Sequence, residues 1–206
     1  KTLTVNGDYT TIRRWNIHDL AGVGSNGQGA VWEDNVSGRN GWKAVGDSRA
    51  GHGHGMYPQS HGARTYIRRN IFPGCFGSNI HCYTENGHID NITLEDNVAF
   101  NPGDLSGGGA YNIVLGGYQV AESPELRRNL THGAVNINLG YNAQYGGATD
   151  AVLTDNIAPD GITIVNTTFA ENSGNVTTPN SPSRSCLHLM VQSSRSTTPT
   201  RTTLRQ

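Results

Sequence analysis

Histidine and tyrosine recur at short spacing in one stretch of the chain. His52, His54, Tyr57 and His61 are followed by His81 and Tyr83, with Gln59 among them. An imidazole titrates near neutrality and a phenol can return a proton, so His81 with Tyr57 or Tyr83 would serve as base and acid in a proton transfer. The elimination chemistry this suits removes a proton next to a carboxylate, whose charge Lys43, Arg64 or Arg68 would offset. Gln59, His54 and Asn138 are the hydrogen-bonding groups expected to hold a substrate beside them. The Gly-His-Gly-His run at 51–54, with His61 soon after, also invites a zinc or copper reading. Glycine beside both histidines argues for a turn, and no Cys or carboxylate falls at ligand spacing, so no metal site is assigned. The residues name no cofactor.

These groups lie far apart in sequence, and a repeat is what brings them onto one surface. The phrase apolar-x-x-Asn-apolar recurs as Ile67-Arg68-Arg69-Asn70-Ile71, Leu94-Glu95-Asp96-Asn97-Val98, Leu126-Arg127-Arg128-Asn129-Leu130 and Leu153-Thr154-Asp155-Asn156-Ile157. Val31-Trp32-Glu33-Asp34-Asn35-Val36 is a looser copy, and Trp15 stands near the Asn place of a still earlier one. Between these copies lie Met56-Tyr57-Pro58, Ile80-His81-Cys82, Ile113-Val114-Leu115, Ile137-Asn138-Leu139 and Ile162-Thr163-Ile164. Repeats of roughly two dozen residues mark a solenoid whose coils stack and pair in parallel. The period suggests two short strands per coil, with the asparagines bonded in a ladder at one bend. The fold expected is all-β, a right-handed parallel β-helix. A β-sandwich would instead want hairpins and a strand every 8–12 residues.

Alternation then points Met56, Ile80, Ile113, Ile137 and Ile162 inward and the next residue of each outward. One outward row reads Tyr57, His81, Val114, Asn138, Thr163. Its neighbour reads Gln59, Tyr83, Gly116, Gly140, Val165. Rings and polar groups are expected to concentrate at Tyr57, Gln59, His81 and Tyr83 and to fade beyond them. Asp34, Glu95, Asp96 and Asp155, beside the Asn positions, are expected on a solvated edge.

The phrases Asn40-Gly41-Trp42, Gly51-His52-Gly53-His54-Gly55-Met56-Tyr57-Pro58-Gln59, Asn79-Ile80-His81-Cys82-Tyr83 and Asn112-Ile113-Val114-Leu115-Gly116-Gly117 carry a resemblance. The chain resembles the bacterial right-handed parallel β-helix repeat proteins, whose coils carry Gly-His-Gly-Ile-Tyr and Gly-Ile-His-Ala-Tyr phrases. Asn79 stands where that phrase has glycine. The resemblance implies a secreted or cell-surface, carbohydrate-active protein. A polysaccharide lyase on acidic glycans is the first expectation, and a non-catalytic glycan-binding, adhesion or structural solenoid is the alternative. A polygalacturonase-like hydrolase would need Asn-Thr-Asp, Asp-Asp and Arg-Ile-Lys segments, which the sequence lacks, and the outward rows supply no carboxylate pair.

Composition agrees with a turn-rich repeat: 27 of 206 residues are glycine and 34% are apolar. Through residue 172 there are 11 basic against 16 acidic side chains, so no basic stripe for nucleic acid is expected. The polysaccharide is the expected partner, without membrane insertion. Unpaired edges of the end coils make end-to-end self-association a hazard. Residues 1–172 are read as the β-helix domain. Residues 173–206, rich in Ser, Thr, Pro and Arg, are read as a flexible or capping tail. Cys82, inside a strand, is expected as a small buried thiol.

Overall fold

The computed structural model describes residues 1–41, 53–83, 89–103, 110–133, 135–141 and 147–177. Lys43, His52 and Cys186 lie outside them, as does the tail beyond residue 177. The first coil is β1 (Thr2–Val5), β2 (Thr11–Arg13) and β3 (Asn16–His18), and the second is β4 (Gly22–Ser25), β5 (Val31–Glu33) and β6 (Val36–Gly38). The third is β7 (Tyr57–Pro58), β8 (Thr65–Arg68) and β9 (Ile71–Pro73), and the fourth is β10 (Ile80–Tyr83), β11 (Ile92–Glu95) and β12 (Val98–Phe100). The fifth holds β13 (Tyr111–Gly116), β14 (Val120–Glu122), β15 (Glu125–Arg127) and β16 (Leu130–His132). Two further coils contribute β17 (Val135–Tyr141) with β18 (Gly147–Thr154), and β19 (Ile162–Ile164) with β20 (Thr167–Ser173).

All strands among the described residues are β, and every pair of them is parallel. The period therefore holds three strands rather than two. The apolar-x-x-Asn-apolar phrase is a corner between two strands, with Ile67 ending in β8 and Ile71 opening β9. One face stacks β1, β4 and β7, and the Met56–Ile80 bridge continues it into β10, β13, β17 and β19. The second runs from β2 through β5, β8, β11 and β15 to β18, and the third from β3 to β16. The third face continues through bridges from Leu130 to Ile157 and on to Val176, and β20 pairs with β18, so the coils run past residue 172.

The inward columns make one core. On the first face Ile80, Ile113, Ile137 and Ile162 sit in register, and on the second Ile12, Trp32, Ile67, Leu94, Leu126 and Leu153 do. Most of these side chains are inaccessible to solvent. Burial pushes the Cys75 thiol up to about 11 and the Cys82 thiol higher still. Cys82 pairs with Leu115 inside the core, as expected for a small apolar residue.

The corners explain the asparagines. Each coil turns from the second face to the third through one left-handed residue: Arg14, Asp34, Arg69, Asp96, Arg128 and Asp155 all have φ between 51° and 60°. The next residue is the ladder asparagine. Asn97 Nδ2 donates to Asn129 Oδ1 at 3.0 Å and to the Ile67 carbonyl at 2.8 Å, and its own Oδ1 accepts from the Asn70 backbone N–H at 3.0 Å. The same bonds link Asn35, Asn70, Asn97, Asn129, Asn156 and Asn175 in order. At the top of the column the Trp15 backbone N–H donates to Asn35 Oδ1 as in the other coils, but an indole has no amide with which to extend the side-chain ladder.

A second ladder was not expected. Asn79 Nδ2 donates to Asn112 Oδ1 at 2.8 Å, Asn112 Nδ2 to Asn136 Oδ1 at 3.0 Å, and Asn136 Nδ2 to Asp160 Oδ2 at 3.2 Å. It stitches the corner between the third face and the first. Asn79 in place of a glycine is thus a structural residue.

Candidate functional site

The outward residues of the first face carry the rings. His81 pairs with Val114, Asn138 and Thr163 across β10, β13, β17 and β19, as the alternation predicts. The neighbouring row departs from expectation. A bulge after Leu115 sets Gly116 opposite Tyr141 instead of Gly140, so the row gains a ring where it was expected to end in glycine.

Rings consequently continue across the face. His54 lies 5.7 Å from Tyr57 and 4.3 Å from His81, centroid to centroid. His81 is 5.3 Å from both Tyr57 and Tyr83. Tyr83 is 5.9 Å from Tyr118 and 6.0 Å from Tyr141, and Tyr141 is 5.9 Å from Tyr111. On the same face the outward positions Val114, at 1% exposure, and Asn138, at 7%, are buried. Asn138 is therefore not displayed on an open groove, and its Oδ1 has no partner among the described residues.

The two histidines are coupled. The Ser78 backbone N–H donates to His54 Nδ1 at 3.0 Å, which leaves that nitrogen unprotonated and puts the neutral ring's proton on Nε2. His54 Nε2 faces His81 Nδ1 at 2.9 Å. His54 therefore donates and His81 Nδ1 accepts, so the proton of a neutral His81 sits on its Nε2. Gln59 Nε2 donates to the Tyr83 carbonyl at 3.4 Å, which holds Gln59 against the same strand.

Of the residues singled out from sequence, Tyr57, Gln59, His54, His81 and Tyr83 come together, and Asn138 is buried on the same face. Lys43 lies outside the described residues. Arg68 does not join them. It belongs to β8 on the second face, where its Nε donates to Glu33 Oε2 at 2.9 Å. Arg64 is tied to the same side, within 3.2 Å of Glu125. The described strands of the first face contain no Asp, Glu, Lys or Arg at all. Among the described residues no group of three or more His, Cys, Asp or Glu side chains could hold a metal ion.

Tyr111, Tyr118 and Tyr141 are the site residues that sequence reasoning missed. Tyr141 needed the bulge to be known, and Tyr118 follows β13 on a connection. A search against protein-family models, curated proteins and solved structures finds no match to this chain. The fold is thus carried by the strand pairing itself, and no helix among the described residues is long and apolar enough to cross a membrane.

Proposed function

We propose that the chain is a right-handed parallel β-helix, secreted or held at the cell surface, that binds an extended glycan along its ring-bearing face. Crossovers between parallel strands of one sheet are right-handed in nearly all folds, which supports the handedness. The observation that carries the function is the continuous set of seven rings, from His54 to Tyr111, five of them on strands without a formal charge. Rings offer flat apolar area with a polar edge, suited to the C–H faces and hydroxyls of a sugar chain. The absence of charged residues from those strands favours an uncharged polymer over an acidic one.

Affinity electrophoresis through gels cast with neutral polysaccharides (xylan, glucomannan, mixed-linkage glucan) or acidic ones (pectate, alginate) tests this. A neutral polymer is expected to retard the protein, and Tyr83→Ala to weaken retention about tenfold, the size of one lost ring contact of about 1.4 kcal/mol. Migration unaffected by every polymer would end the glycan reading.

A second reading, elimination on an acidic glycan, is favoured by the His54–His81 pair. With its Nδ1 accepting from His54, a neutral His81 carries its proton on Nε2, so it suits the acid or hydrogen-bond donor better than the base. Tyr57 or Tyr83 would then take the base role first given to His81. Ultraviolet absorbance of an unsaturated product, lost in His81→Ala, is the signature of that chemistry.

A further inference from the structure

Beside the rings, on the coils before them, the first face changes character. Strand register sets Thr4, Gly24 and Tyr57 side by side, so the outward row steps from a small residue to none and then to a ring. The step makes a shallow cavity of about 180 Å³ lined by Thr2, Gly22, Val23, Gly24, His54 and Tyr57. Two glycines and the buried Val23 give it a carbon floor, and the rings of His54 and Tyr57 stand as its wall. Both nitrogens of His54 are already engaged, by the Ser78 N–H and by His81, so its ring meets the cavity through carbon. Thr2 and Tyr57 bring the hydroxyls of the lining, and none of the six residues carries a formal charge.

Neither glycine is required by the backbone. Both have ordinary φ, a Cβ added at Gly22 meets nothing within 4 Å, and one at Gly24 meets only Thr4 atoms, at 3.6 and 3.8 Å. Other glycines are packed or strained: a Cβ at Gly53, Gly140 or Gly147 would lie 2.0 Å or less from another atom, and Gly161, though open, has a φ of 107°. Gly22 and Gly24 keep a surface low where the fold would accept a side chain.

We propose that this depression is a sugar subsite, taking one uncharged pyranose with its C–H face on the glycine floor and its edge against Tyr57. The proposal rests on the glycan reading of the ring-bearing face and extends it by one coil. A glycan lying from Gly24 to Tyr141 would then span four coil steps, about 19 Å, enough for several sugar rings.

Gly22→Leu tests it, because leucine fills the depression without adding a ring for a sugar to stack on. The wild-type protein, Gly22→Leu and Tyr83→Ala would be titrated calorimetrically with cello-, xylo- and manno-oligosaccharides and with an oligogalacturonate. Gly22→Leu is expected to keep its circular dichroism spectrum and thermal midpoint and to lose about tenfold in affinity for a neutral oligosaccharide, about 1.4 kcal/mol. Gly24→Leu fills the same space and decides the matter should Gly22→Leu not fold. Wild-type affinity in the filled variants, with loss in Tyr83→Ala, would overturn the subsite and leave the ring-bearing face standing. Binding confined to the oligogalacturonate would overturn the uncharged class, and no binding by the wild-type protein would overturn both readings together.

Discussion

The ring-bearing face and the corner between the second and third faces are built on opposite plans. Strands of the first face carry rings and no formal charge. The corner carries paired charges that change sign from coil to coil: Arg13-Arg14, Glu33-Asp34, Arg68-Arg69, Glu95-Asp96, Arg127-Arg128. Stacking places each pair against its opposite. Glu33, only 7% exposed, lies 3.2 Å from Arg13, 2.9 Å from Arg68 and 2.7 Å from Arg69. Asp34 is 2.8 Å from Arg69, Asp96 is 2.8 Å from Arg128, and Arg128 also contacts Glu95. A slip of one coil would stack like on like, so the corner selects register as well as stabilising it. Asp34, Glu95 and Asp96, expected on a solvated edge, keep exposed surface there and are ion-paired as well, and Asp155 is exposed. The rings touch from coil to coil without ion pairs, and the glycan proposal rests on that separation between a charge-held corner and an uncharged face.

The sharpest way to break that separation is the ladder. Asn97→Ala would remove the amide's bonds to the Ile67 carbonyl and to Asn129 and leave the buried Asn70 N–H without its acceptor, a stranded buried group costing about 1–3 kcal/mol. A loss of about 3 kcal/mol is expected, read from the urea midpoint at unchanged slope. A loss below about 1 kcal/mol would mean that water replaces the amide, and that the ladder records register without enforcing it.

The repeat made the ladder legible before any coordinates. Ile80, Ile113, Ile137 and Ile162 also fall into register where alternation put them. The third strand was hidden for a physical reason. It is three residues long with one inward position, filled by Ile17, Ser37, Phe72, Ala99 and Thr131, a column too mixed in polarity to give a periodic signal. Without a third face, Arg68 could be placed near His81 although the two point from different sheets. The second ladder had a signal in the Asn-Ile phrase of Asn79-Ile80, Asn112-Ile113 and Asn136-Ile137, and the charge alternation had one in the slots before each ladder asparagine. Tyr141 had none, because its place in the row is set by a bulge at Gly116, whose φ of 132° a side chain rarely adopts.

Acid should separate the two regions next. Hydrogen bonds from Arg68 hold the Glu33 carboxyl below its ordinary 4.5, and those from Arg69 hold Asp34 below 3.8. A depressed folded-state pKa contributes stability that is fully present above the unfolded value and is lost as pH falls through the folded one. The thermal midpoint is therefore expected to hold down to about pH 4.5 and to fall below it. Glu33→Gln should lower the midpoint at neutral pH and shrink that acid-dependent fall. An acid limb unchanged in Glu33→Gln would assign it to other carboxylates and reduce the corner's charges to decoration.

The smallest expected effect concerns the ring-bearing face. Tyr118 is 44% exposed and meets Tyr83 edge to face, so Tyr118→Ala is a change at the surface. Stability should change by less than about 0.5 kcal/mol, as for surface substitutions away from special features. A larger loss would make the rings structural, and the separation between the two regions would fail. Stability held near wild type, together with weakened glycan retention, would instead mark Tyr118 as a residue kept for what it meets in solution.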